Sequence, residues 1–234
     1  MKTEQIIGNR RCYIYSEDSA DIYFIQPIDE HDLEVLDREV EIIKELSGES
    51  RFVLAAFLVD DWNKELSPWE VPAVFGKENF GGGAEETLSY ILNTLIPSLN
   101  EMYCSMEKRC YIGGYSLAGL FSLWSAYRTD IFQGVAAASP SVWFQNWNKY
   151  IEAHTIQTPK IYLSLGDKEE KARNRIMSIV GDNIRLQHKI LSESANVKEC
   201  ILEWNKGNHF INSEVRTAKG FSWLINSCGG KDEK

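Results

Sequence analysis

The chain has 234 residues, 44% of them hydrophobic and 12% aromatic, with a formal net charge of −9. That is enough apolar material for one sizeable core and sets the expectation of a single domain over 1–234. An acidic chain without a basic cluster is not made to meet nucleic acid or an anionic membrane surface, and no run approaches the roughly 18 apolar residues of a membrane span.

The first elements read as two short β-type stretches, EQII and RCYIY, followed by a strand IYFIQP that Pro27 should end. In DEHDLEVLDREVEIIKELSG, Leu33, Leu36, Val40 and Ile43 fall on one helical face, Asp29 can cap the start and Gly48 can close the end. FVLAAFLV (52–59) is a continuous apolar run, the mark of a strand buried on both faces of a parallel sheet. The segment 60–83 is rich in Gly, Pro and Trp and reads as a long loop, a candidate lid or pocket wall. AEETLSYILNTLIPSLNEMY has helical spacing at Leu88, Ile91, Leu95, Leu99 and Met102, with Pro97 expected to kink or divide it.

The remainder alternates: strand RCYIGG, helix LAGLFSLWSAYR, strand GVAAAS, helix VWFQNWNKYIEA, strand KIYLSL, a mostly helical stretch over about 172–194, strand ECILEW, and a final helix INSEVRTAKGFSWLINS. The tail 229–234 should fray. Such alternation implies a mostly parallel sheet of about eight strands with helices on both faces, and strand 110–114 near its middle. Ligand sites in such sheets form at the carboxyl ends of the strands.

The five cysteines, Cys12, Cys104, Cys110, Cys200 and Cys228, are odd in number and none has C-x-x-C spacing. The opening MKTEQIIGNRR lacks the apolar core of a signal peptide, so a reduced, cytoplasmic protein is expected, with Cys12, Cys110 and Cys200 as small core residues. There is no G-x-G-x-x-G, no P-loop and no metal-ligand spacing, so no cofactor and no metal are implied.

Ser116 follows a predicted central strand and precedes a predicted helix, in Gly114-Tyr115-Ser116-Leu117-Ala118-Gly119. Small residues on both sides allow the sharp turn of a nucleophile elbow, although the usual G-x-S-x-G ends here in Ala118; a plain helix-capping serine is the alternative. A serine needs a base. Of the four histidines, His31, His154 and His188 sit in polar helical surroundings and read as surface residues. His209 stands in EWNKGNHF, at the carboxyl end of the last strand, with Phe210 beside it to pin the loop. The loop after KIYLSL offers Asp167, Glu169 and Glu170, any of which could orient an imidazole. The chain order serine, acid, histidine is that of α/β-hydrolases.

LNTLIPSLNEMY together with RCYIGGYSLAGLFSLWSAYRTDIFQGVAAASPSVW resembles the esterase family that includes esterase D and the enterochelin (ferric siderophore) esterases. The shared features are a LIP helix, a G-[HY]-S-[LM]-[GA]-G elbow and an F-x-G-x-x-x-x-S-x-S-x-W segment. The resemblance implies an α/β-hydrolase fold without a large cap domain. It also implies Ser116 as nucleophile, His209 as base, and Glu169, at a G-x-x-[DE] position, as the acid, with Asp167 the alternative. One oxyanion donor would be the N–H of Leu117. The second, from the loop after IYFIQ, falls on Ile28 because Pro27 has no N–H. Trp62, with Trp69 and Phe75 further along, and Trp143 offer flat walls for an acyl chain or ring, or else pack the loop onto the core. The expected activity is a cofactor-independent serine esterase acting on a small-molecule ester through an acyl-enzyme. The alternatives are an acyltransferase or thioesterase on the same residues, and a hydrolase-like binding protein without catalysis. Oligomeric state is not indicated.

Overall fold

The chain opens on a hairpin, β1 (Lys2–Ile7) and β2 (Arg10–Ser16), paired antiparallel in a computed structural model that describes residues 1–17, 19–48, 50–74, 76–103 and 109–227. Phe75, Cys104, Cys228 and the tail 229–234 lie outside the described residues.

β3 (Ile22–Ile28), α1 (Glu30–Ser47) and β4 (Val53–Leu58) follow. Asp29 caps α1 as expected: its side chain accepts from the Asp32 N–H while Asp32 accepts from the Asp29 N–H, and Gly48 closes the helix at φ 63°. Pro27 does not end β3. The Ile28 carbonyl accepts from Val59 N–H at 2.9 Å, so Ile28 faces β4 and Pro27 faces the opposite edge. On that edge pairing with the next strand stops at Ile25, so the missing N–H leaves no ladder bond unmade.

Segment 60–83 is more ordered than a plain loop. It holds α2 (Trp62–Glu65) and a small antiparallel pair, β5 (Glu70–Val71) and β6 (Phe80–Gly81). Pro97 does not divide the next helix: the backbone stays helical from α3 (Ala84–Tyr90) through a π-turn (Ile91–Leu95) into α4 (Ile96–Met102). The irregularity falls just before Pro97, where the Ile96 N–H bonds the Ile91 carbonyl five residues back.

Then come β7 (Arg109–Tyr115), α5 (Leu117–Arg128), β8 (Phe132–Ala138), α6 (Trp147–Ala153) and β9 (Lys160–Gly166). α7 (Arg175–Ser178), α8 (Val180–Glu193), β10 (Glu199–Asn205) and α9 (Ser213–Asn226) complete the chain. The helix expected from Val142 begins only at Trp147, because Asn146 adopts a left-handed φ of 67° and breaks the helical path before it.

The main sheet is eight-stranded in the order β1-β2-β4-β3-β7-β8-β9-β10. Only β2 runs against its neighbours; the pairs from β4 to β10 are parallel. Alternate residues feed two cores. Phe24, Leu54, Tyr111 and Ala136 pack with α1 and α9, while Ile25, Ala55, Ile112 and Ala137 pack with α5 and its neighbours on the other face. Phe221 of α9 rests on Phe24 with ring centroids 4.4 Å apart, and burying such a ring contributes about 1.5–3 kcal/mol. Both faces are covered, which is why these strands read as unbroken apolar runs. The result is an α/β-hydrolase fold with β7 inside the sheet and the carboxyl ends of β7, β8, β9 and β10 opening on one edge.

Candidate active site

Ser116 sits between β7 and α5 at φ 57° and ψ −119°, a conformation that a non-glycine residue holds at a cost of about 1–3 kcal/mol. Its surroundings impose the turn. A Cβ on Gly114 would stand 2.6 Å from the Ala118 methyl, and one on Gly119 would stand 3.0 Å from the Gly114 carbonyl oxygen. The strand and helix therefore meet at a distance only small side chains permit. Ala118, the departure from G-x-S-x-G, is fully buried in the space that Gly114 leaves.

The Ser116 Oγ lies 3.0 Å from His209 Nε2, and His209 Nδ1 lies 2.7 Å from Glu169 Oε2. An ionised carboxylate only accepts, so Nδ1 carries the ring hydrogen and Nε2 is free to accept from the serine hydroxyl. His209 occupies the loop between β10 and α9, and Glu169 starts the 3₁₀ turn Glu169–Lys171 after β9, both at carboxyl ends of strands.

The second oxygen of Glu169 is fully engaged. Its Oε1 accepts from the Gly166 N–H at 2.7 Å, from the Ser139 hydroxyl at 2.7 Å and from Arg216 Nη1 at 2.9 Å. Burial works to raise the Glu169 carboxyl, but the bond and charge of His209, with the Ser139 hydroxyl and the Gly166 N–H, prevail and hold it below the usual carboxylate range. Asp167 and Glu170 are used elsewhere. Asp167 Oδ1 accepts from the Gly207 N–H at 2.9 Å, and Glu170 pairs with Arg185 at 2.8 Å.

Arg216 was not foreseen. It is 2% exposed on α9 and its guanidinium bonds the Tyr115 hydroxyl at 3.0 Å, Ser139 Oγ at 3.0 Å and the Asn208 carbonyl at 2.9 Å as well as Glu169. The Tyr115 hydroxyl in turn donates to the His209 carbonyl at 2.8 Å. One buried cation thus ties the carboxylate to the loop that carries the imidazole. Its sequence signal is an arginine in register (i, i+4, i+8) with Gly220 and Leu224 on the inward face of α9.

A cavity of about 350 Å³ opens on Ser116 and is walled by Trp62, Asn63, Phe80, Leu117, Ser141 and Trp143. Both expected tryptophans therefore stand beside the serine, as does Leu117, the first residue of α5, whose N–H has no partner within the helix. Ile28 does not reach it. That residue is fully buried at the end of β3, with its backbone turned to β4, so the expected second oxyanion donor is corrected. Asn63 on α2 and the Ser141 hydroxyl, 3.4 Å from Ser116 Oγ, are among the polar groups that join Ser116 there. Trp69 packs on Phe144, Trp147 and Tyr150 and is a structural ring. Phe210 does not pin its loop by burial. It is 87% exposed and stands edge-on to the His209 ring at 5.5 Å.

His31 and His154 are exposed and His188 is half-buried on α8; none lines this cavity. Cys12 and Cys110 are buried free thiols and Cys200 is half-buried; burial pushes Cys110 up to about 11. Among the described residues no group of three or more His, Cys, Asp or Glu side chains is arranged to hold a metal ion, and no helix is long and apolar enough to cross a membrane.

The family model Esterase, described as "Putative esterase", matches residues 42–209. Among solved structures, the siderophore hydrolase EstB from Aspergillus nidulans superposes with a TM-score of 0.77 at 17% identity, over 97% of this chain and 95% of that one. An IroE-like serine hydrolase from Shewanella oneidensis gives 0.77 at 14% identity, over 97% and 80%. The enterobactin esterase FES from Shigella flexneri gives 0.70 at 12% identity, over 98% and 60%. No curated protein matches by sequence. With a family model spanning most of its length and this fold around it, the chain belongs to the esterase family and is a hydrolase of the α/β-hydrolase fold.

Proposed function

We propose that the protein is a serine esterase that cleaves carboxylic esters through Ser116, His209 and Glu169 by way of an acyl-enzyme. The observation that carries this reading is the hydrogen-bonded line from Ser116 Oγ through His209 to Glu169, at 3.0 and 2.7 Å. Ser116 Oγ attacks the ester carbonyl carbon while its proton passes to His209 Nε2. The carbonyl oxygen becomes an oxyanion beside the N–H of Leu117. The bond to the alcohol oxygen then breaks, and that oxygen leaves with the proton from Nε2. A water repeats the sequence on the acyl-enzyme, returning the proton to Ser116 and releasing the acid. Glu169 keeps the ring in the tautomer each step needs and stabilises the imidazolium.

Asn63 takes the place that Ile28 cannot fill: its carboxamide is the second oxyanion donor. Trp62 and Trp143 flank the acyl group. The substrate is a small-molecule ester, and the free thiols of Cys12 and Cys110 support a reducing, cytoplasmic setting.

Turnover of 4-nitrophenyl acetate by the wild type and Ser116→Ala tests the reading. The variant is expected to lose about 10³-fold or more in kcat, and a fluorophosphonate should label only the wild type. Equal turnover by both proteins sinks the proposal. Asn63→Ala should lose about 10²–10³ in kcat with labelling of Ser116 retained.

A further inference from the structure

Adjoining the serine cavity is a larger one of about 610 Å³. Trp143, Met177, His209 and Phe210 line both, so the two spaces adjoin at the imidazole. The larger one is floored by apolar groups and rimmed by Lys168, Lys171 and Arg173. All three are exposed, and none takes part in an ion pair among the described residues.

In the sequence these cations are hidden, because GDKEEKAR interleaves them with acids. The fold separates the two signs. Glu169 turns inward to Arg216 and His209, Glu170 is drawn off by Arg185, and Asp167 is held by the Gly207 N–H. What remains at the cavity mouth is positive, on a chain whose net charge is −9. The segment is also fixed: Asn174 donates to the Val74 carbonyl at 3.1 Å and caps α7 through Ile176 and Met177 N–H.

The cavity in which each half of the substrate lies follows from the chemistry. The oxyanion donor Leu117 lines only the smaller cavity, which therefore takes the acyl group. The leaving oxygen must lie against His209 to collect its proton, and His209 is a wall that the larger cavity shares with the smaller one. We propose that the alcohol half of the substrate carries an anionic oxyacid group, a carboxylate or a phosphate, held by Lys168, Lys171 and Arg173. The inference rests on the serine-esterase reading for the direction of the substrate, and on the cavity alone for the charge.

Five acetyl or phenyl esters, phenyl acetate among them as the uncharged reference for the acyl side, separate the possibilities. The charge is on the alcohol side in 4-acetoxybenzoate and 4-acetoxyphenyl phosphate, on the acyl side in monophenyl succinate, and absent in 4-acetoxybenzamide. At low salt, 4-acetoxybenzoate or the phosphate should exceed the benzamide in kcat/KM by about tenfold, with the gain shrinking as salt rises. Whichever of the two gains more identifies the oxyacid. Monophenyl succinate should show no such gain over phenyl acetate. In Lys168→Gln/Lys171→Gln/Arg173→Gln the ratio of anionic to neutral ester should fall to about one. Equal kcat/KM for the neutral and both anionic alcohol-side esters overturns the proposal, as does a gain that survives in the triple variant or appears only with monophenyl succinate. Calorimetric titration of 4-hydroxybenzoate and 4-hydroxyphenyl phosphate against 4-hydroxybenzamide gives the same decision without turnover. Preferred binding of either anion by the wild type, lost in the triple variant, supports the subsite even if Ser116 proves inert; absence of any preference removes it.

Discussion

Two buried glutamates on this fold show opposite solutions to one problem. Glu169 is surrounded by donors from Gly166, Ser139, Arg216 and His209, and its carboxyl stands below the ordinary range. Glu39, on α1 against α9, is 4% exposed, and its Oε1 has no hydrogen-bond partner; neither has the neighbouring Gln26 Oε1. Burial, followed by the charge of Asp32, pushes Glu39 well above the ordinary carboxylate range. Asp32 itself is raised to about 7 by burial and by the charge of Asp29. Depth alone therefore does not decide whether a carboxyl keeps its charge; the count of donors aimed at it does. One glutamate is built to be an anion beside an imidazole; the other is pushed toward its protonated form.

The sharpest way to break this contrast is Glu169→Gln. The amide presents its own N–H groups to donors that already point inward, or to the His209 Nδ1–H. Turnover of a phenyl ester should fall about 10³–10⁴-fold, because the imidazole loses the tautomer that can accept from Ser116. Retained activity would mean the carboxylate is not what orients His209.

Arg216→Met comes next. It removes the cation from Glu169 and frees the Asn208 carbonyl and the Tyr115 hydroxyl together. Leaving one member of a buried pair alone costs about 3–5 kcal/mol, so Tm should drop, and loosened positioning should lower kcat on the order of 10²-fold. With one positive charge fewer beside Glu169, the acid limb of the kcat/KM profile should also move to higher pH, and Arg216→Lys should restore part of that shift. A variant that only melts earlier, with an unmoved pH profile, would reduce Arg216 to a packing residue.

Glu39→Gln is the smallest change and has the opposite sign. Because the folded state raises the Glu39 and Asp32 carboxyls, it binds more protons than the unfolded chain. Their contribution is fully present below about pH 4 and is lost as pH rises through the folded values, which for Asp32 is about 7. The glutamine variant should therefore melt near the wild type at pH 4 and be more stable at pH 8 by about 1–3 kcal/mol. Thermal melts at the two pH values check it, and identical shifts at both would end the contrast from its other side.

Much of this architecture was legible in the chain. β7, α5 and the turn between them are local: an apolar run, two glycines, a serine and a helical stripe, each readable within a dozen residues. Asp29 and Gly48 marked the ends of α1 for the same reason. What failed was decided across the sheet. Pro27 stays inside β3 because of where β7 stops pairing, and Ile28 is lost as a donor because its backbone is turned to β4. The choice of Glu169 over Asp167 and Glu170 depends on which side chain of the 3₁₀ turn points inward, which spacing does not encode. Arg216, forty-seven positions from Glu169, had no partner visible in the sequence.

The tight corner at Ser116 has a consequence for how this chain can vary. The gap between β7 and α5 has room for a single methyl, at present contributed by Ala118 opposite Gly114. The two positions are therefore not independent letters of a motif but one shared volume. A methyl can change sides, as in Gly114→Ala joined to Ala118→Gly, with far less disturbance than Gly114→Ala alone, which would force the helix off the strand and carry the serine hydroxyl with it.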